Sequence, residues 1–141
     1  PPPPPILSGL VGSEMCIRDR TTGGIFMPII KKSDILNDDS SGNIIRSLSR
    51  GEVGATNLTV SEITVPPGNA INVHIHPGHE ECMIILEGTF KSLMGDTTEM
   101  VESGDIIIAP DGVPHGLENI SNENAIFIAI FPTIDVQREW I

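Results

Sequence analysis

The stretch "GNAINVHIHPGHEECMIILEG", residues 68 to 88, decides how this chain is read. Within eight positions it carries His74, His76, His79 and a glutamate from Glu80–Glu81, all able to bind a metal. His74 and His76 stand two apart on a strand, so both imidazoles project from one face. Pro77-Gly78 turns the chain, and the aliphatic run that follows reads as a second strand able to bring Glu81 alongside them. Two His and a carboxylate from adjacent strands put three ligands on one side of an ion and leave other positions open.

A second stretch, "GDIIIAPDGVPHGLEN", residues 104 to 119, runs an aliphatic strand into Asp111-Gly112, a strong turn signal. Pro114 stiffens the chain just before His115, and the turn can place that histidine at a barrel mouth facing the first cluster. All four His of the chain lie in these two stretches, and His74, His76 and His115 occupy candidate ligand positions.

The two stretches resemble the signature motifs of the cupin superfamily. Gly68, His74, His76, Glu81 and Gly88 match the first motif, and Gly104, Pro110, Gly112, His115 and Asn119 match the second. The 15 residues between them, 89 to 103, match the spacer of small bacterial members. The resemblance implies an all-β fold: a small antiparallel jelly-roll β-barrel, or double-stranded β-helix. It implies a divalent metal ion (Fe, Mn, Ni or Zn) inside that barrel on His74, His76, Glu81 and His115. The spacing to Gly88 favours Glu81, while the spacing from His76 admits Glu80 as well. The chemistries implied are dioxygenation, decarboxylation, isomerisation and lyase reactions on a small oxygenated organic molecule, with a dioxygenase-like activity favoured. A non-catalytic module that binds a metal or small molecule is the alternative. Lyases that use a tyrosine base fit poorly, because the chain has no Tyr. After the first twenty residues the only basic side chains are Lys31, Lys32, Arg46, Arg50, Lys91 and Arg138. A strongly anionic substrate is therefore expected only if Arg46 or Arg50 reaches the pocket.

Other residues carry weaker expectations. His79 reads as an exposed loop residue or as a proton shuttle at the mouth, for which its nearly neutral pKa is suited. Asn72 shares strand parity with His74, and Met83 and Ile85 share it with Glu81, so all three are expected on the pocket wall, with Phe90 a weaker candidate. Core packing explains Met83, Ile85 and Phe90 equally well. Asn72 and His79 are the candidate catalytic side chains. Gly88, Gly104 and Gly112 read as turn residues with positive φ, and Asn119 as a residue that fixes a turn.

The rest of the chain reads as β. Runs such as "NLTVSEITV", "INVHIH", "CMIILEG", "TFKSLMGD", "TTEMVESGD", "IIIAPDG" and "AIFIAIFP" are short, rich in Ile, Val and Thr, and closed by turn signals. The end, "TIDVQREWI", reads as a helical turn or an edge strand. "IIIA" and "AIFIAIF" are apolar on both faces, so a second subunit is expected to cover part of the outer surface and make a homodimer. The 141 residues include 8 Lys and Arg against 19 Asp and Glu, a net charge of −11. That balance argues against nucleic acid and anionic membranes as partners and leaves a small molecule.

The first twenty residues differ from the remainder. They open with five prolines, and "LVGSEMCIRDR", Leu10 to Arg20, resembles the translation of a transposon-end adapter used in sequencing libraries. Residues 1 to 20 are expected to be foreign, or else a disordered Pro-rich tail, with the natural start at Met27 and a single domain over 27–141. Cys16 falls in the suspect segment, leaving Cys82, expected as a small core residue. With no internal disulfide and no signal-peptide pattern, a cytoplasmic location is expected.

Overall fold

A computed structural model describes residues 21–22 and 25–141, and side-chain surroundings from Met27 onward. The expectations for residues 1–20, including Cys16, lie outside the described residues. Among the described residues no helix is long and apolar enough to cross a membrane.

The described residues form thirteen short strands. A hairpin of β1 (Thr21–Thr22) and β2 (Ile25–Phe26) precedes β3 (Leu36–Asp38) and β4 (Ile44–Ser49). The central run is β5 (Thr59–Val65), β6 (Ala70–Ile75), β7 (Glu81–Glu87), β8 (Thr89–Met94), β9 (Thr97–Glu102), β10 (Ile106–Ala109), β11 (His115–Glu118) and β12 (Ala125–Phe131). The last strand is β13 (Glu139–Trp140).

The pairing of the central run is nested: β8 with β9, β7 with β10, β6 with β11, and β5 with β12, all antiparallel. The chain thus folds as one long hairpin whose successive rungs alternate between two sheets. One sheet has the order β10-β7-β12-β5-β4-β3, the other β13-β6-β11-β8-β9. This is the expected double-stranded β-helix of the jelly-roll class.

Period-two alternation fills the space between the sheets. Along β12, Ala125, Phe127, Ala129 and Phe131 point inward and are buried. Glu81, Met83 and Ile85 do the same along β7. Phe90 packs edge-on against Phe127, with ring centroids 5.6 Å apart. Ile85 and Phe90 belong to this core, whereas Met83 also lines the cavity described below.

Three readings need correction. Cys82 is not a core residue: it is half-buried, because its parity on β7 is opposite to that of Glu81 and Met83 and turns it to the outer face. The strands β3, β4 and β11 give no apolar run long enough to stand out. β4 gains its place by pairing β5, and β11 by lying between β6 and β8. Asn72, expected inside by parity with His74, is exposed. β6 and β11 are out of step between the pairs His115–His74 and Leu117–Ile71, so β6 carries one extra residue there. That bulge turns Ile71 toward the core and Asn72 away from it. Of the two readings of the C-terminal stretch, the edge strand holds: Glu139 and Trp140 pair with Ile75 and His74.

Candidate metal centre

Four side chains converge between the sheets. His74 comes from the end of β6, His76 from the turn just beyond it, Glu81 from the first position of β7 and His115 from the first position of β11. All four are buried, and their ligand atoms lie within 4.8 Å of one another. Nε2 of His76 stands 2.9 Å from Oε1 of Glu81, Nε2 of His115 stands 3.0 Å from the same oxygen, and the Nε2 atoms of His74 and His76 are 3.2 Å apart. Glu80, the competing carboxylate, is exposed.

The outer nitrogens settle the orientation of the rings. Nδ1 of His74 donates to the carbonyl of Asn72 at 2.6 Å, Nδ1 of His76 to that of Gln137 at 2.7 Å, and Nδ1 of His115 to that of Val113 at 2.9 Å. With Nδ1 donating outward, a neutral imidazole presents the lone pair of Nε2 to the centre, whereas at His76 and His115 a protonated ring donates Nε2–H to Glu81. Three lone pairs and a carboxylate aimed at one point repel one another unless a cation or a proton sits among them. Three imidazole nitrogens and a carboxylate oxygen form a donor set suited to borderline divalent ions. The residues therefore fit a metal of the kind expected and could hold one.

The acid–base balance reflects the same crowding. His74 is pushed down to about 4, chiefly by burial, with the neighbouring His115 and His76 adding to it. Burial alone would raise Glu81, but hydrogen bonds from His115 and His76 hold it at about 2. Burial also opposes charge on His115, yet its hydrogen bond to Glu81 prevails and raises it above 6.5.

The turns that carry these residues behave as read. Gly88, Gly104 and Gly112 have φ of 78°, 96° and 74°. Asn119 is fully buried, donates Nδ2 to the carbonyls of Val65 and Glu123, and accepts from Ser121 N, so it ties the 119–123 loop to β5. His79 is half-buried on the rim and does not line the inner cavity. Its Nδ1 donates to the Glu80 carbonyl, its Nε2 accepts from Gln137 N at 3.0 Å, and its ring stacks on His76 at 5.2 Å. Gln137 is thereby gripped through its N–H by His79 and through its carbonyl by His76.

An inner cavity of about 410 Å³ opens from His74, Glu81 and His115. Its walls are largely apolar, with Ile45, Ile63, Ile71, Leu117 and Phe127 among them, beside Ser41, Thr59 and Ser61. Neither Arg46 nor Arg50 lines it, and Arg46 instead pairs with Glu62 at 3.0 Å. The cation at this cavity is Arg138, carried there with Trp140 by the C-terminal segment. The Trp140 ring lies 5.2 Å from that of His74, and the Arg138 guanidinium lies 5.6 Å from the Trp140 ring. The sequence shows Arg138 and Trp140 as a scarce cation and the sole Trp, but nothing local says that the chain end returns to the mouth.

Residues 61–131 match the family model described as "Cupin domain". Over 73 residues the chain is 34% identical to mannose-1-phosphate guanylyltransferase 2 of Escherichia coli O157:H7; the match takes in 52% of this chain and 14% of that protein. Over 72 residues it is 31% identical to the oxalate-binding protein of Thermotoga maritima, covering 50% of this chain and 58% of the relative. The fold superposes on the polyketide cyclase RemF of Streptomyces resistomycificus with a TM-score of 0.68 and 23% identity, over 82% of this chain and 87% of the other.

Proposed function

The chain belongs to the cupin family, and we propose that it is a metal-dependent member acting on a small organic molecule that presents an oxygen anion, such as a carboxylate, to the buried His and Glu cluster. The observation that carries this is the convergence of three Nε2 lone pairs and the Glu81 carboxylate at the end of a cavity that also holds Arg138. His74, His76, Glu81 and His115 would hold a divalent ion, which when bound supplies a Lewis acid with open positions for oxygen donors. The chain's own groups do the rest. Arg138 attracts and orients the anionic end of the ligand, with Trp140 beside it. The apolar walls exclude water and strengthen that attraction. Glu81 stays ionised and holds the His76 and His115 imidazoles in place.

A dioxygenase-like reaction is the activity favoured, with decarboxylase, isomerase and lyase reactions as other outcomes. A non-catalytic binding role is the second reading, favoured by the relative named an oxalate-binding protein. The deciding experiment is metal analysis of protein purified without chelator, followed by oxygen uptake and turnover on a panel of small carboxylic and hydroxy acids. Stoichiometric metal with turnover supports the enzyme. Stoichiometric metal with saturable binding and no turnover supports the binding module. Absence of metal from protein prepared in its presence overturns both. A cytoplasmic setting, in which Cys82 remains a thiol, and a homodimer complete the reading.

A further inference from the structure

The C-terminal segment lines the inner cavity although it lies largely in solvent. Val136, Arg138 and Trp140, at alternate positions, line the cavity, while residues 137–141 are exposed. Val136 packs against the core. Beyond it the segment is held through its backbone: the two-residue β13 pairs with β6, and Ile141 N donates to the Val73 carbonyl at 3.0 Å. A terminal segment this short and exposed keeps its place only where it is tied down.

Gln137 is tied from both sides. Its N–H donates to Nε2 of His79 at 3.0 Å, and its carbonyl accepts from Nδ1 of His76 at 2.7 Å. The two rings that grip it stack on each other, with centroids 5.2 Å apart and planes 25° apart. His79 also stands edge-on to Phe131 at 5.8 Å, so its ring has neighbours on β12 as well. Its Nδ1 donates to the Glu80 carbonyl at 3.1 Å, which leaves Nε2 as the acceptor. Both ring nitrogens of His79 are thus engaged by backbone groups, and the ring does not line the inner cavity. A continuous set of contacts runs from His79 through Gln137 to His76. A carbonyl behind a metal-binding histidine sets the tautomer and orientation of its ring.

We propose that His79 is a positioning residue: by accepting from Gln137 N it fixes the segment that brings Arg138 and Trp140 to the cavity, and through the Gln137 carbonyl it orients His76 toward a bound metal. The second half rests on the reading of the His and Glu cluster as a metal site, and the experiment separates the two.

The variants are His79→Phe, which keeps an aromatic ring against His76 and Phe131 but has no acceptor, and His79→Gln, whose side-chain carbonyl can replace Nε2. Amide hydrogen exchange of the metal-free protein at constant pH reads the segment, and Zn(II) binding in competition with a chelating dye reads the cluster. In His79→Phe the amides of residues 137–141 should exchange about tenfold faster, as the loss of one hydrogen bond allows. Those of β5, β7 and β12 should be unchanged. Zn(II) affinity should fall about tenfold, the lower end of the range for partners of metal-binding histidines. His79→Gln should keep both quantities within about threefold of the wild type. Unchanged exchange at 137–141 in His79→Phe would overturn the proposal. So would equal losses in the two variants, or faster exchange throughout the chain, since either marks a packing role for the ring. Local loosening with Zn(II) affinity intact would overturn the link to His76 and support His79 as the tie that holds the segment. A wild type that takes up no Zn(II) would overturn the metal reading and the orienting of His76 with it, and exchange would then decide the tie alone.

Discussion

At the scale of single residues, the two adjacent glutamates give a direct contrast. Glu81 is buried against two imidazoles and Glu80 is exposed. Glu81→Gln keeps the shape but removes the charge facing the ion, so metal affinity should fall by tenfold or more, as changes around metal sites commonly do. Glu80→Gln should leave it within about twofold, since exposed charges contribute little. Equilibrium dialysis with metal analysis reads both, and the reverse order would move the ligand to Glu80. The same cluster sets a pH dependence. His74 has its pKa lowered to about 4, so the metal-free fold resists a proton that the unfolded chain accepts below 6.5, and stability should fall as pH drops from about 6.5 toward 4. Glu81, also lowered, contributes stability above 4.5 that is lost as pH falls from 4.5 toward 2. His115 is raised, so its contribution is complete below 6.5 and fades as pH rises through its folded value. The metal-free protein should therefore be most stable near pH 6.5, and metal binding just above that pH should expel a proton from His115. Thermal melts across pH, and titration of metal in buffers of different ionisation enthalpy, test the two parts. Metal uptake with no proton release would remove His115 from the ligand set.

At the scale of elements, glycines show which strands must touch. Gly116 lies on β11 against the β6 bulge, where an added Cβ would meet the Ile71 carbonyl oxygen at 2.9 Å and Val73 N at 3.3 Å. Gly116→Ala should push apart the two strands that carry His74 and His115, cost about 1–3 kcal/mol, and weaken metal binding. Gly88 combines a φ of +78° with an added Cβ only 2.9 Å from Ala125 Cβ and 3.1 Å from the Asn124 carbonyl oxygen. Gly104 has a φ of +96° and nothing within 4 Å. Alanine at position 88 should therefore destabilise by more than the roughly 1–2 kcal/mol expected of the backbone term alone at 104. Urea midpoints measure all three, and equal losses at 88 and 104 would refute the contact between the β7–β8 turn and β12.

At the scale of the whole molecule, the outer face of the larger sheet is apolar across β10, β7 and β12. Ile106 stands beside Ile84, which stands beside Ile128; Ile108 stands beside Cys82, which stands beside Ile130. Ile106 and Ile108 are 56% and 52% exposed in the single chain. A contiguous patch of this kind is typical of an obligate interface. A homodimer joined by this face is expected from light scattering at micromolar concentration, and Ile128→Glu, which buries a charge in that face, should shift it to monomer. A wild-type monomer would remove the dimer from the proposal.

What the sequence determined by itself was the succession of short strands and turns and the composition of the candidate metal centre. Alternation along β5, β7 and β12 and the turns at Gly88, Gly104 and Gly112 are local properties, written in consecutive residues. The scarcity of histidine, with all four confined to two stretches, made His74, His76 and His115 stand out before any contact was known. Tertiary structure alone decided the rest, because those features depend on residues far apart in the chain. Asn72 obeys strand parity until a bulge against β11 turns it outward. Cys82 looks like core until the sheet assigns its face to the outside. Arg138 and Trp140 reach the mouth because β13 pairs with β6 and because the Gln137 carbonyl, 61 residues beyond His76, accepts a hydrogen bond from that histidine. Asn43 lines the cavity with its amide held by the Ala70 carbonyl, 27 positions along the chain. Pairings across such distances follow from burial and hydrogen-bond closure in three dimensions, which no local pattern encodes.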